Sequence, residues 1–225
     1  MSSAMVTAPL RLRTLPGVFS PHSDACLLAA VMAEQELAKG ADVLDVFTGS
    51  GVLALCAARL GARSVTAIDV SRRAQITVGI NARRNGVRVR ALRGDLFAPV
   101  KGESFDLIVA NPPYLPGNEM LPRRGAARAW EGGPDGRLLV DRFLQEAPRH
   151  VRAGGSVLIV HSSLTGEEAT VRRLTEQGLS AGVLARQLGP LGPLARAGVE
   201  QLRTRGVLAN GVDREEVLVI GAAAG

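Results

Sequence analysis

Short apolar runs bounded by glycine, proline or an acid recur along the chain, with helix-like stretches between them. The runs at 43–44, 64–68, 87–92 and 105–110 read as strands, and those at 156–160, 183–185 and 217–220 extend the series. Between them, residues 52–60, 71–85, 139–151, 167–177 and 191–205 carry helical spacing, and the apolar stretch 25–32 precedes the first strand. Strands alternating with helices predict a mainly parallel sheet with helices on both faces. There are no internal repeats and no low-complexity linker.

The polar residues that interrupt this pattern cluster where strands end. Asp45-Val46-Phe47-Thr48-Gly49-Ser50-Gly51 follows the first strand, Asp69 closes the second, and Gly94-Asp95-Leu96 follows the third. Asn111-Pro112-Pro113-Tyr114 follows the fourth. In an open α/β sheet the carboxyl edge of the strands is where ligands bind. Gly49 and Gly51 permit a tight turn and close backbone approach to a ligand. Asp69 stands where a ribose diol is usually held. Neither Pro112 nor Pro113 has an N–H for a sheet ladder, so the fourth strand must end there in a stiff turn. The Asn111 amide oxygen, the Pro112 carbonyl and the Tyr114 ring suit a flat amino or amide nitrogen, with two acceptors for its N–H groups and an aromatic face for its plane. Such a proline pair can also be nothing more than a turn.

Gly49-Ser50-Gly51-Val52-Leu53-Ala54 also satisfies the loose dinucleotide pattern, with Asp69 at a plausible distance. A pyrophosphate at that helix N-terminus would not want the acid Asp45 nearby. S-adenosylmethionine, which carries an amino group and a sulfonium but no phosphate, fits the loop better.

On these residues the chain resembles the class I S-adenosylmethionine-dependent methyltransferases. More narrowly it resembles the short HemK-type glutamine methyltransferases, which modify the Gly-Gly-Gln loop of translation release factors. The resemblance extends to Val18-Phe19-Ser20-Pro21 with Asp24, and to Ala129-Trp130-Glu131-Gly132-Gly133 with Gly136-Arg137. It implies a Rossmann-like seven-stranded, mainly parallel sheet with the last strand antiparallel and residues 87–92 at an edge. It implies S-adenosyl-L-methionine as cofactor, held by Asp24, Asp45, Thr48, Gly49, Gly51, Asp69, Val70, Asp95, Leu96 and Asn111. Asn111, Pro112 and Tyr114 would act on the substrate nitrogen, and Pro113, Tyr114 and Trp130 would shape its pocket. Trp130 has an equally good reading as a loop anchor, and Arg137 as the residue that pins the loop. The chain departs from the pattern in Phe47-Thr48 and in an insertion at 189–211.

Composition changes little in this picture. At 225 residues and 46% hydrophobic content the chain can bury a full core. We expect one domain over 1–225, with 1–40 covering the cofactor, 115–137 facing the substrate and 189–211 inserted between the last two strands. Cys26 and Cys56 lack ligand spacing, and His22, His150 and His161 are isolated, so no metal site is expected. The start lacks a signal-length apolar core and no segment suits a bilayer, which predicts a cytoplasmic protein. The net charge of +6 invites a nucleic-acid partner. Yet of 27 basic residues only Lys39 and Lys101 are lysine, and the arginines are dispersed, which favours a solvated surface.

The leading function is therefore N-methylation of a release-factor glutamine, with no membrane partner. The alternatives are an exocyclic amine of RNA or DNA, a small molecule, or a lysine. No catalytic histidine is required. Short eukaryotic members of the resembled group use a zinc-binding activator at the sheet edge. The alternation of Val87, Val89 and Ala91 with Arg88 and Arg90 argues against an obligate one here.

Overall fold

The computed structural model describes residues 9–19, 23–117 and 130–225. Seven strands form one sheet: β1 (Asp42–Val46), β2 (Ser64–Asp69), β3 (Arg90–Arg93), β4 (Phe105–Ala110), β5 (Val151–Ser162), β6 (Leu179–Pro190) and β7 (Arg214–Ala224). Their spatial order is β3-β2-β1-β4-β5-β7-β6. The pairs from β3 through β5 are parallel, whereas β7 runs antiparallel between β5 and β6. This is the Rossmann-like sheet expected from the sequence, including its antiparallel last strand.

Among the described residues seven α-helices accompany it: α1 (Ser23–Glu34), α2 (Val52–Arg59), α3 (Arg72–Arg84), α4 (Leu138–Glu146), α5 (Glu167–Glu176), α6 (Pro193–Ala197) and α7 (Val199–Thr204). Side chains alternate across a strand, and the central strands use both faces. Val43, Leu107, Val109, Leu158 and Val160 pack with α1, α2 and Val78 of α3. Leu44, Ile108, Val157 and Ile159 pack on the other face with Phe143 and Leu144 of α4 and Leu174 of α5. Burial on both faces explains why these strands read as unbroken apolar runs.

Besides β5, β6 and β7, which run well beyond the expected 156–160, 183–185 and 217–220, three elements differ from the sequence reading. The edge strand β3 begins only at Arg90, because Val87 N–H still bonds back to Ala82 O and closes the end of α3 (3.1 Å). The helix expected over 139–151 stops at Glu146; Pro148 turns residues 147–149 into a 3₁₀ turn, and Val151 starts β5. The helix expected over 191–205 is broken at Gly198 into α6 and α7.

The inserted segment has a small core of its own. Leu191, Ala195, Leu202 and Leu208 pack together and against Leu115 and Leu164. The insertion is thereby seated against the chain that leaves the proline turn. At the opposite end of the sheet, Asp42 and Asp106 bind Arg63 and Arg152 at 2.6–3.0 Å. These arginines hold the Asp42 carboxyl well below its usual range.

Candidate active site

A cavity of about 650 Å³ opens at the carboxyl ends of β1, β2 and β4, within the ~300–1,000 Å³ typical of small-molecule sites. Its floor is the glycine loop. Phe47, Gly49 and Gly51 all have positive φ (62°, 50° and 85°). A Cβ added at Gly51 would sit 3.0 Å from Val78 Cγ2, so the glycine is needed for fit as well as for φ. Phe47 supports its own unusual conformation by packing in the α4-side core near Phe143. Gly51 begins α2 without a side-chain cap. The first turn of α2 meets the cavity through Val52 and Leu53, and because the Ala54 amide is taken by Asp45 it is the amides of these two residues that suit a carboxylate.

Asp45 lies beneath this loop, fully buried and away from the cavity wall. Its Oδ2 accepts from Thr48 Oγ1 (2.6 Å) and Ala54 N–H (3.1 Å), while Oδ1 has no partner. Burial pushes its carboxyl up to about 7, and the charge of Asp69 adds to the rise. Asp45 thus braces the loop from below, with one acceptor in reserve. Thr48 is buried with it and reaches the wall of the cavity.

Asp69 faces the cavity from the end of β2. Its Oδ2 accepts from Gly49 N–H (3.0 Å) and its Oδ1 from Ser71 N–H (2.8 Å). One carboxylate therefore ties the glycine loop to the start of α3 at the point where a ribose diol would sit. Val70 lies half-exposed beside it. Leu96, at φ 47°, and Asp95 form the neighbouring wall. Asp95 is paired to Arg142 of α4 (2.7 Å) across the cavity margin.

The proline turn closes the far end. Asn111 and Pro113 line the cavity, and Pro112 is buried behind them. The Asn111 side-chain amide makes no hydrogen bond among the described residues. Tyr114 does not line the cavity; its hydroxyl donates to Asp24 Oδ2 (2.5 Å) and its carbonyl accepts from Thr165 Oγ1 (3.0 Å). Burial first, and then the Asp24 charge, raise the phenol well above its ordinary value, so it remains a donor. Asp24 accordingly serves the turn, and Ala25 and Phe19 form the cofactor-side wall. Ser20 and Pro21 lie outside the described residues, as does Ala129.

Trp130 also stays off the cavity wall, and its carbonyl accepts from Leu115 N–H (2.9 Å). Beyond it, Gly132 and Gly136 press on the turn. A Cβ on Gly132 would come within 2.8 Å of Pro113 O, and one on Gly136 within 2.1 Å of Tyr114 O. Arg137 fastens this strap by donating to Thr165 O (2.7 Å), Gly166 O (3.0 Å) and Asp141 (2.7 Å). His161 is buried behind the site, bonded to Thr170 Oγ1 (3.0 Å) and Ser162 O (2.9 Å), and burial lowers its pKa to about 4. It is a satisfied structural group. Among the described residues no cluster of His, Cys, Asp or Glu could hold a metal ion, and no helix is long and apolar enough to cross a membrane.

Sequence reasoning singled out neither Glu131 nor Arg142 for a role, and both line the cavity. Arg142 had no local signal, because its use depends on α4 bringing it to Asp95, which is 47 positions earlier in the sequence. Glu131 did have one: it is the charged residue inside an otherwise small-residue strap.

A Rossmann-like sheet with an antiparallel β7, a positive-φ glycine loop and a proline turn on one cavity defines a class I methyltransferase that uses S-adenosyl-L-methionine. Residues 9–126 match the methyltransferase small domain family. A Methanocaldococcus jannaschii protein, provisionally named a protein N5-glutamine methyltransferase, is 35% identical over 79% of this chain and 88% of its own length. The release factor glutamine methyltransferase of Gloeobacter violaceus is 34% identical over 73% of this chain and 60% of its length. A ribosomal protein uL3 glutamine methyltransferase of Bradyrhizobium diazoefficiens is 40% identical over 52% of this chain and 39% of its length. The chain therefore spans less than two thirds of the length of these two bacterial relatives. In fold it is similar to the E. cuniculi Mtq2–Trm112 complex, which methylates the eRF1 termination factor, with a TM-score of 0.64 at 22% identity over 93% of this chain and 99% of that one. The chain belongs to the HemK-type class I methyltransferases.

Proposed function

We propose that this protein methylates the side-chain amide nitrogen of a protein glutamine, and that its substrate is the Gly-Gly-Gln loop of a translation release factor. The observation that carries the reading is Asn111. Its amide lies unpartnered among the described residues, at a stiff turn, on the wall shared with the cofactor half of the cavity. The release-factor substrate of the Gloeobacter relative supports the finer choice.

In this reading Asp69 takes the ribose hydroxyls, Asp95 and Leu96 flank the adenine, and the amides at the start of α2 take the methionine carboxylate. S-adenosylmethionine supplies an electrophilic methyl group. An amide nitrogen is a poor nucleophile because its lone pair is delocalised into the carbonyl. Asn111 Oδ1 and the Pro112 carbonyl accept its two N–H groups and place negative partial charge where positive charge develops, while holding the nitrogen in line. Tyr114, anchored through Asp24, acts by fixing the turn.

The test is methyl transfer to purified release factor, with uL3 and bulk RNA in parallel. Incorporation into release factor that is lost when its loop glutamine becomes asparagine is the expected outcome. Incorporation into uL3 or RNA instead would replace this substrate.

A further inference from the structure

We propose that Glu131 is a substrate-positioning residue whose carboxylate accepts a hydrogen bond from an uncharged N–H of the methyl-accepting molecule. The proposal rests on the substrate reading above only in taking that molecule to be a protein.

Glu131 lines the cavity on the side of Asn111 and Pro113. Its place there is rigidly set. Leu115 and Glu131 form a parallel bridge, with Leu115 N–H bonded to Trp130 O (2.9 Å) and Gly132 N–H to Leu115 O (2.8 Å). Gly132 lies close against the Pro113 carbonyl, and the two backbone bonds to Leu115 keep the strap on the turn. The side chain lies along Gly117, where an added Cβ would meet Glu131 Cδ at 3.1 Å. Yet Oε2, enclosed there, has no hydrogen-bond partner among the described residues.

An enclosed carboxylate oxygen without a donor is costly. The other cavity acids are satisfied: Asp69 by two backbone N–H groups, and Asp95 by Arg142. Glu131 alone among them waits for a partner. The last torsion of a glutamate is broad, so rotation about it can turn the unpartnered oxygen towards the cavity that Glu131 lines. Charge decides what kind of donor it takes. Arg72, Arg73, Arg93 and Arg142 already line the cavity, and a cationic side chain entering it would meet them and the cofactor sulfonium. An uncharged N–H, such as a peptide amide beside the target residue, meets no such repulsion. Asn111 and Pro112 then hold the reacting nitrogen, while Glu131 fixes the segment that carries it.

Glu131→Ala and Glu131→Gln separate this role from others. Turnover is measured on release factor, or on uL3 where the wild type methylates that instead; failure on release factor alone counts against that substrate and not against Glu131, whereas methylation of RNA alone would remove the protein acceptor on which the proposal rests. For Glu131→Ala the KM for the acceptor should rise about ten- to a hundredfold, as for loss of a hydrogen bond to a charged group. Its kcat should stay within about threefold, and S-adenosylmethionine affinity by calorimetry should be unchanged. Glu131→Gln keeps a carbonyl acceptor and should restore most of the KM. The melting temperature should not fall in either variant, because the oxygen removed has no partner to lose. An unchanged KM, a parallel loss of cofactor affinity, or a Gln variant as impaired as the Ala variant would overturn the proposal, the last by showing that a cation is recognised.

Discussion

At the scale of single residues, carboxylates of similar sequence standing do different work. Asp69 touches the cavity and joins the glycine loop to α3, so Asp69→Ala should weaken S-adenosylmethionine binding by about 1–3 kcal/mol, read by calorimetry. Asn111 has no such structural bonds. Asn111→Ala should leave cofactor affinity intact and lower turnover by roughly a hundredfold or more, because the lost acceptor acts mainly in the transition state. Turnover that survives the change would reduce the proline turn to a structural element.

Asp45 and His161 make a paired statement about pH. Burial raises Asp45 from 3.8 to about 7, so between those values the folded state holds the extra proton and stability falls as pH rises. Burial lowers His161 from 6.5 to about 4, so there the unfolded state holds the extra proton and stability rises with pH. The two slopes oppose each other across their shared window. Asp45→Asn removes the first and leaves the second. Relative to wild type, the cofactor-free variant should gain melting temperature steadily from pH 4 to 7 and level off above. A difference that stays constant over that range would show that burial does not raise the Asp45 carboxyl above its ordinary value in the folded protein.

At the scale of elements, the inserted segment and the strap support each other. Leu202 anchors the small core that meets Leu115 and Leu164, and Arg205 donates to the Gly117 carbonyl. Leu202→Ala should cost about 2–5 kcal/mol locally, as for other buried leucines. Its signature should be faster hydrogen exchange at Leu115, Gly117 and Gly132, whose amides bond across the strap, with the core of the sheet unaffected. Unchanged exchange at those amides would mean that the strap stands without the insertion.

Across the whole molecule, the exposed margins of the sheet decide how the protein meets others. β3 is four residues long, and its Arg90 is paired with Glu103 (2.7 Å). A short edge carrying charges discourages strand addition, and burying Arg90 would break a pair already made. The lone chain is therefore expected to be a folded monomer whose melting temperature rises with S-adenosylmethionine. Light scattering and thermal melts check this; aggregation relieved only by co-expressing a small partner would show that the edge is an interface left open.

What the sequence determined by itself was whatever depends on local chemistry and strand order. Apolar runs buried on both faces, the Ser71 and Asn85 ends of α3, the strand broken by Pro112-Pro113 and the glycine loop were all legible, because each is set by backbone sterics within a few residues. The antiparallel β7 was legible only through resemblance, since strand direction leaves no mark on periodicity. Tertiary structure alone decided which polar groups face the cavity. Asp45 and Asp69 each end or nearly end a strand, yet alternation turns Asp45 under α2 while Asp69 opens to the site. Tyr114 was expected at the substrate and is bound to Asp24 ninety positions away in sequence. Glu131 reaches the wall only because Gly132 and Gly136 let the strap lie against the turn. Contacts of such long separation depend on how layers pack, and no window of neighbouring residues records that.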